Sequence, residues 1–211
     1  MTSTTDTQHF YEPKNGHGLP HDPFNAIIGP RPIGWIGSQS ADGIPNLAPY
    51  SFFNAFNYTP PIIGFASVAS KKDSLTNIEA TGEFTWNLVT RELAEAMNES
   101  CAMVPPEVNE FERAQLKQGP SNLINAPRVA ASPVSFECKL TQIVQLTNHE
   151  GQQVPSWVVF GEVVGVHIAQ SALQDGIYDP ARTRTILRAG GPASYYEITP
   201  ETRFEMFRPK V

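Results

Sequence analysis

Two consecutive segments in the C-terminal half leave this chain few folds to adopt. Through Ser135–Gln145 polar and apolar residues alternate, with Val134, Phe136, Cys138 and Leu140 on one side and Ser135, Glu137, Lys139 and Thr141 on the other. A period of two belongs to a strand with one face on a core. After a turn at Asn148–Gly151, Ser156–Ile168 reads as its long antiparallel partner, and Gly161 and Gly165 in it permit the curl of a closed sheet.

The rest of the chain fits that reading. Arg31–Ser40 is a strand with glycines that let a backbone or flat ligand come close. Ala41–Gly43 is a hairpin turn, and Ile44–Phe56 the return strand, where Pro45 and Pro49 imply an edge or a bulge. Glu83–Val89 is a strand with Phe84, Trp86 and Leu88 on one face. Thr90 caps a helix that aligns Leu93, Met97 and Cys101, and Asn109 with Glu112 resembles a capping box for a short helix carrying Phe111. His21–Pro30 makes a helical turn from Asp22, with Phe24, Ile27 and Ile28 expected to be buried. Roughly six closely spaced strands with inserted helices predict a mainly β protein, an antiparallel barrel with helical decoration. A Rossmann or flavodoxin sheet is disfavoured, because strands and helices do not alternate regularly. The expected organisation is a tail over 1–20, one domain over 21–200 and an extension over 201–211.

Charge and residue usage exclude several classes. The net charge of −6 argues against nucleic acid as a partner. No apolar run is long enough to cross a bilayer, and the polar start lacks a signal peptide's apolar centre, so a cytoplasmic location is expected. Cys101 and Cys138 have no CxxC or Cys/His spacing and read as buried free thiols. The five histidines lack zinc-like spacing, GxSxG is absent, and no paired catalytic carboxylates stand out. A barrel without catalytic groups of its own fits a protein whose chemistry belongs to a bound cofactor.

The stretch Pro60–Gly82 offers the place for one. Ile62, Ile63, Phe65 and Val68 form a strand-length apolar run. Ser67, Ser70, Lys71, Lys72 and Ser74 follow, Asp73 is expected to cap a helix bearing Leu75 and Ile78, and Gly82 is expected to end it. Hydroxyls, ammonium groups and a helix N-terminus together make a phosphate site. A solvated Ser/Lys loop is the plainer alternative, since the glycines of a Walker loop or a dinucleotide fingerprint are absent. Other positions have two readings on residue type alone. Trp35 and Trp86 suit a core or a cofactor platform, and Arg31 a barrel rim or a ligand contact. Asn54 suits a ring edge or a strand end, His167 a rim histidine or a ligand-facing donor, and Gly190-Gly191 a flap or a plain turn.

The combination of RPIGWIGS (Arg31–Ser38), DGIPNLAPYSFFNAF (Asp42–Phe56), PPIIGFAS (Pro60–Ser67), KDSLTNIEATGEFTWNLV (Lys72–Val89), GEVVGVHI (Gly161–Ile168) and LRAGGPASYYEI (Leu187–Ile198) resembles the flavin reductase-like, FMN-binding split-barrel family, close to the flavoredoxin type. Where that family commonly has Lys-Asp-Thr, this chain has Lys72-Asp73-Ser74, which keeps the hydroxyl. The resemblance implies a Greek-key split barrel that forms a homodimer and holds FMN non-covalently. Ser67, Ser70, Lys72 and Ser74 would hold the phosphate. Ser51, Phe52, Phe53 and Asn54 would line the isoalloxazine, and Arg31, Pro32 and Trp35 would flank the ring or ribityl chain. His167, Arg188, Gly190 and Tyr195 would frame the nicotinamide side. The implied activity is flavin reduction by NAD(P)H, with hydride passing to flavin N5 and reduced flavin or electrons then delivered to a partner, a monooxygenase or another electron acceptor. The alternatives are a flavoredoxin-like FMN electron carrier that does not oxidise NAD(P)H, and a barrel with an empty pocket and a structural role.

Overall fold

The computed structural model describes residues 8–209. Seven of its strands join one antiparallel sheet: β1 (Gly34–Gln39), β2 (Pro45–Tyr50), β3 (Phe53–Tyr58), β4 (Pro61–Val68), β5 (Glu83–Asn87), β6 (Val134–Thr147) and β7 (Gln153–Ile168). Their order across the sheet is β2-β1-β5-β6-β7-β4-β3. The two edges, β2 and β3, are neighbours in sequence, joined only by Ser51 and Phe52. A flat seven-stranded sheet would hold its edges about 29 Å apart. The three residue steps from Tyr50 to Phe53 span at most about 11 Å. The sheet must therefore curl until its edges meet, and the result is a split barrel whose seam is Ser51–Phe52. The single return strand expected over Ile44–Phe56 is thus two strands on opposite edges. Phe52 and Tyr50 close the seam, the first accepting the Ala66 N–H at 2.9 Å and the second lying 4.5 Å from the Phe65 ring.

The long pair β6–β7 is the spine. Its near half pairs with β5 and its far half with β4, and register shifts at Glu137/Cys138 and Leu140/Gln142 bend it between the two. These bulges supply the curl expected of Gly161 and Gly165. Gly161 instead makes room, since a Cβ there would stand 2.4 Å from Phe84 Cε1. The barrel interior is aromatic: Phe53 stacks on Trp86 at 5.6 Å, and Phe84 meets Phe65 edge-on.

The polar face of β5 and β6 is not in water. Thr85, Asn87, Ser135 and Glu137 are all buried beneath the segment 118–130. Asn87 donates to Trp35 O and accepts from Val129 N and Ser135 Oγ, while Thr85 donates to Pro127 O at 2.8 Å. Trp35, Leu47, Val89, Met97, Phe111 and Val129 form a second apolar cluster, under the helices α3 (Ala94–Glu99) and α4 (Glu110–Arg113).

Two further expectations are corrected. The turn α1 (Phe24–Ile27) forms, and Asp22 Oδ1 accepts the Phe24 N–H, but Phe24, Ile27 and Ile28 are exposed, Ile27 by 71%. The turn packs through its backbone: at Gly190 (φ +108°), in β8 (Ile186–Gly190), a Cβ would lie 2.5 Å from Ala26 Cα. Cys138 is buried, but Cys101 is exposed, because α3 ends at Glu99 and its periodicity does not reach residue 101.

Gly161→Ala is expected to overpack the ring of Phe84 and cost roughly 1–3 kcal/mol. Urea unfolding should show a lower midpoint with an unchanged slope.

Candidate functional site

Strand β4 leaves the barrel at Val68 and turns through Ala69, a non-glycine residue held left-handed at φ +67°. Such a conformation costs of order 1 kcal/mol and persists only where surroundings hold it. Here Ser67 Oγ donates to Ser70 O at 2.8 Å, and Ser156 Oγ receives the Ala69 N–H at 3.5 Å. The helix α2 (Asp73–Thr81) follows and ends, as expected, on a left-handed Gly82. Its cap position is Lys72, not Asp73, and no side chain caps it. A lysine has no acceptor to offer. The N–H groups of Asp73 and Ser74 therefore find no acceptor among the described residues, and Asp73 sits in the first turn.

Those donors open onto a cavity of about 190 Å³ whose walls include Tyr50, Ser70, Lys72, Ser74, Cys101 and Glu110. Lys72 Nζ lies 5.8 Å from the centre of the Tyr50 ring and has no carboxylate partner among the described residues. Lys71 is committed elsewhere, to Glu79 at 2.6 Å and the face of Trp157. Asn46 Nδ2 donates to Ser74 Oγ at 2.8 Å, which leaves the Ser74 proton free for an acceptor. Asp73 and Glu110 also border the space. Burial raises the Glu110 pKa, against opposing backbone hydrogen bonds that include the one from the Leu47 N–H. Tyr50 is 5% exposed, and its hydroxyl, although it feels the Ser74 hydroxyl, completes no hydrogen bond among the described residues. Burial pushes the phenol up to about 12, against a smaller pull from the Ser74 hydroxyl. A buried polar atom left unpaired costs about 1–3 kcal/mol, so Tyr50 is a donor waiting for an acceptor.

A second cavity, of about 120 Å³, shares Pro49, Tyr50 and Cys101 with the first and adds Ser51, Arg188 and Tyr195 to the wall. Arg31 and Arg188 are bridged through their backbones, each N–H donating to the other's carbonyl at 2.8 Å. The Arg31 side chain donates to Ser51 O at 2.8 Å and lies over the Phe52 ring, so it braces the seam. Burial, then the charge of Arg188, lowers its pKa. Arg188 donates to Ser194 O and Gly191 O and lies over Tyr195, which fixes the hairpin of β8 and β9 (Ser194–Glu197).

Of the residues singled out in the sequence, Ser51, Ser70, Lys72, Ser74, Arg188 and Tyr195 thus line a trough made of two adjoining cavities that share Pro49, Tyr50 and Cys101. Ser67 shapes the loop from beneath, while Arg31 and Phe52 stand behind the wall. Trp35 is 0% exposed with its Nε1–H on Ser100 Oγ, and Phe53 is in the barrel core, so neither side chain reaches the trough. Pro32 and Asn54 line neither cavity, and Gly190 serves the close approach of α1. His167 also lies outside both cavities, paired with Glu137 at 2.5 Å. Tyr50, Asn46, Cys101 and Glu110 were missed. Only Tyr50, immediately before Ser51, carried a signal in its position.

Residues 29–187 match the model of the flavin reductase like domain. The chain belongs to that family. An uncharacterised family relative from Aquifex aeolicus is 38% identical over 81% of this chain and 85% of its own. Among solved structures, nitrilotriacetate monooxygenase component B from Bacillus cereus superposes with a TM-score of 0.84 at 26% identity, covering 96% of this flavin reductase-like chain and all of that one. A Shewanella frigidimarina protein described as having a split barrel domain gives 0.76 at 25% identity, over 87% and 90% of the two chains. The donor set of this family member suits a flavin phosphate: uncapped helix N–H groups, one free ammonium, two hydroxyls and the unpaired Tyr50 phenol.

Glu137 is 0% exposed. Burial alone would raise its pKa, but the Asn122 N–H, His167 and the Leu123 N–H together hold it below the ordinary carboxylate range. A depressed carboxylate stabilises the fold above its unfolded pKa of about 4.3, and that contribution is lost as pH falls through the folded value. Thermal stability is therefore expected to drop below about pH 4.3. Glu137→Gln should remove part of that acid limb and cost roughly 1–3 kcal/mol at neutral pH. Melting curves across pH check both.

Proposed function

We propose that this chain binds FMN non-covalently in the trough and reduces it with NAD(P)H. The observation that carries this reading is the uncapped start of α2, with Lys72 in no ion pair and the Tyr50 hydroxyl completing no hydrogen bond among the described residues. Ser70, Lys72, Ser74 and the first N–H groups of α2 hold the phosphate, whose charge is about −2 near neutral pH. Ser51, in the wall of the second cavity, would border the ring, and Arg188 and Tyr195 would border the side left for a nicotinamide. FMN, when bound, supplies the two-electron chemistry, accepting a hydride from the nicotinamide. The protein's part is to place the two partners and keep them in register, for which no side-chain acid or base is needed.

The recipient of reduced flavin in this reading is a monooxygenase. The likeness to a protein named as a monooxygenase component supports that choice. The protein works as a homodimer, and apolar side chains left outward on β3 and β7 (Phe56, Tyr58, Val166 and Ile168) are the natural surface for the second copy. A cytoplasmic setting agrees with two free thiols. No helix among the described residues is long and apolar enough to cross a membrane.

FMN titration with the visible spectrum and NADH or NADPH oxidation followed at the nicotinamide band tests the reading. Turnover with either nucleotide is expected. Stoichiometric FMN without turnover would identify an electron carrier instead, and a colourless protein that ignores added FMN would end the proposal. Lys72→Ala should weaken FMN binding by about 1.5–3 kcal/mol. Light scattering should return twice the chain mass.

A further inference from the structure

Cys101 occupies a position that flavin binding alone does not explain. It is a free, exposed thiol in the wall of both cavities, at the place where they share Pro49 and Tyr50. The backbone just before it is pinned: Ser100 Oγ donates to Met97 O at 2.7 Å and accepts the Trp35 Nε1–H at 2.9 Å. The Cys101 N–H is held by Asn98 O at 3.1 Å. The backbone that carries the thiol is therefore held in place. Lys72 stands in the wall of one cavity and Arg188 in the wall of the other. Independently of the cysteine, the buried Tyr50 hydroxyl, which completes no hydrogen bond among the described residues, marks the same space as built for a ligand. Cys138 provides the contrast: fully buried, with burial driving its thiol pKa well up, it has neither access nor a reactive form.

We propose that Cys101 is a modification site whose occupancy and flavin binding exclude each other; this rests on the flavin reading of the trough. The chemistry is oxidation by hydrogen peroxide, the two-electron reduction product of dioxygen, followed by capture of a small thiol. Sγ attacks one peroxide oxygen, an S–O bond forms, the O–O bond breaks, and the other oxygen leaves as water with the thiol proton, giving a sulfenic acid. A low-molecular-weight thiol then displaces that hydroxyl as water and forms a mixed disulfide. The adduct fills the junction of two small cavities, and the trough can no longer pass a ligand from the α2 end to the Tyr195 end. A reductant restores the thiol and the site.

The test is ligand protection. The flavin-free protein is treated with iodoacetamide, with and without FMN, and its cysteine peptides are quantified by mass spectrometry. Cys101 should be alkylated readily and Cys138 not at all. FMN at a hundred times its Kd should slow alkylation of Cys101 by on the order of a hundredfold, the factor by which the free form is depleted. In parallel, peroxide followed by glutathione should lower FMN affinity by about tenfold or more, reversibly with dithiothreitol, as an adduct that blocks the site requires. Cys101→Ser, whatever its starting affinity, should show no change on the same treatment. Equal alkylation rates with and without bound FMN, or a Cys101 adduct that binds FMN as before, would overturn this inference and leave the flavin reading standing. Untreated protein that binds no FMN would overturn both.

Discussion

The two-residue link between the sheet's edges is the constraint from which the rest of the molecule follows. Ser51 and Phe52 join strands that stand at opposite ends of a seven-stranded order, so the sheet has no choice but to close. Closure brings Tyr50 against Phe65 and puts the end of β2 beside the loop that follows β4. The trough is thus a by-product of the seam: one wall is the end of β2, another the start of α2, and neither would be near the other in an open sheet. Arg31 braces the seam from outside by donating to Ser51 O. The bridge between Arg31 and Arg188 then ties the C-terminal hairpin to the same place.

The barrel carries a second covering over part of its outer surface. The segment 118–130 lies on β5 and β6 and buries their polar residues without leaving them unsatisfied. Asn87 uses both ends of its amide, and Glu137 takes two backbone N–H groups and His167. Such networks are costly if incomplete and specifying if complete. Here they fix where an otherwise irregular segment sits.

Much of the fold was legible from period alone. The alternation through Val134–Leu140 and the apolar run of β4 are local signals, and both strands are where they were expected. What period cannot say is whether a polar face meets water or another layer. Glu137 and Asn87 look like solvent residues in sequence because only the fold brings segment 118–130 over them. The break of Ile44–Phe56 at Ser51 was hidden for the same reason: either side of it is good strand sequence, and the barrel's closure decides. In the trough, Ser70, Lys72 and Ser74 were legible because one loop carries them all. Tyr50 and Cys101 come to that loop from different elements, and neither has a local pattern to announce it. His167 had two readings in the sequence, a rim histidine or a ligand-facing donor, and only the fold shows its pairing with the buried Glu137, outside both cavities.

The unpaired hydroxyl of Tyr50 has a consequence for how this protein can change over generations. In the free protein a phenylalanine there would be the sturdier choice, because it would shed a buried donor with nothing to bind. Keeping the tyrosine therefore leaves the empty barrel weaker than its own sequence space allows. On the proposed reading of the trough, selection for firmness and selection for grip pull against each other at this one oxygen atom, and any lineage that stopped using the trough would be free to let it go.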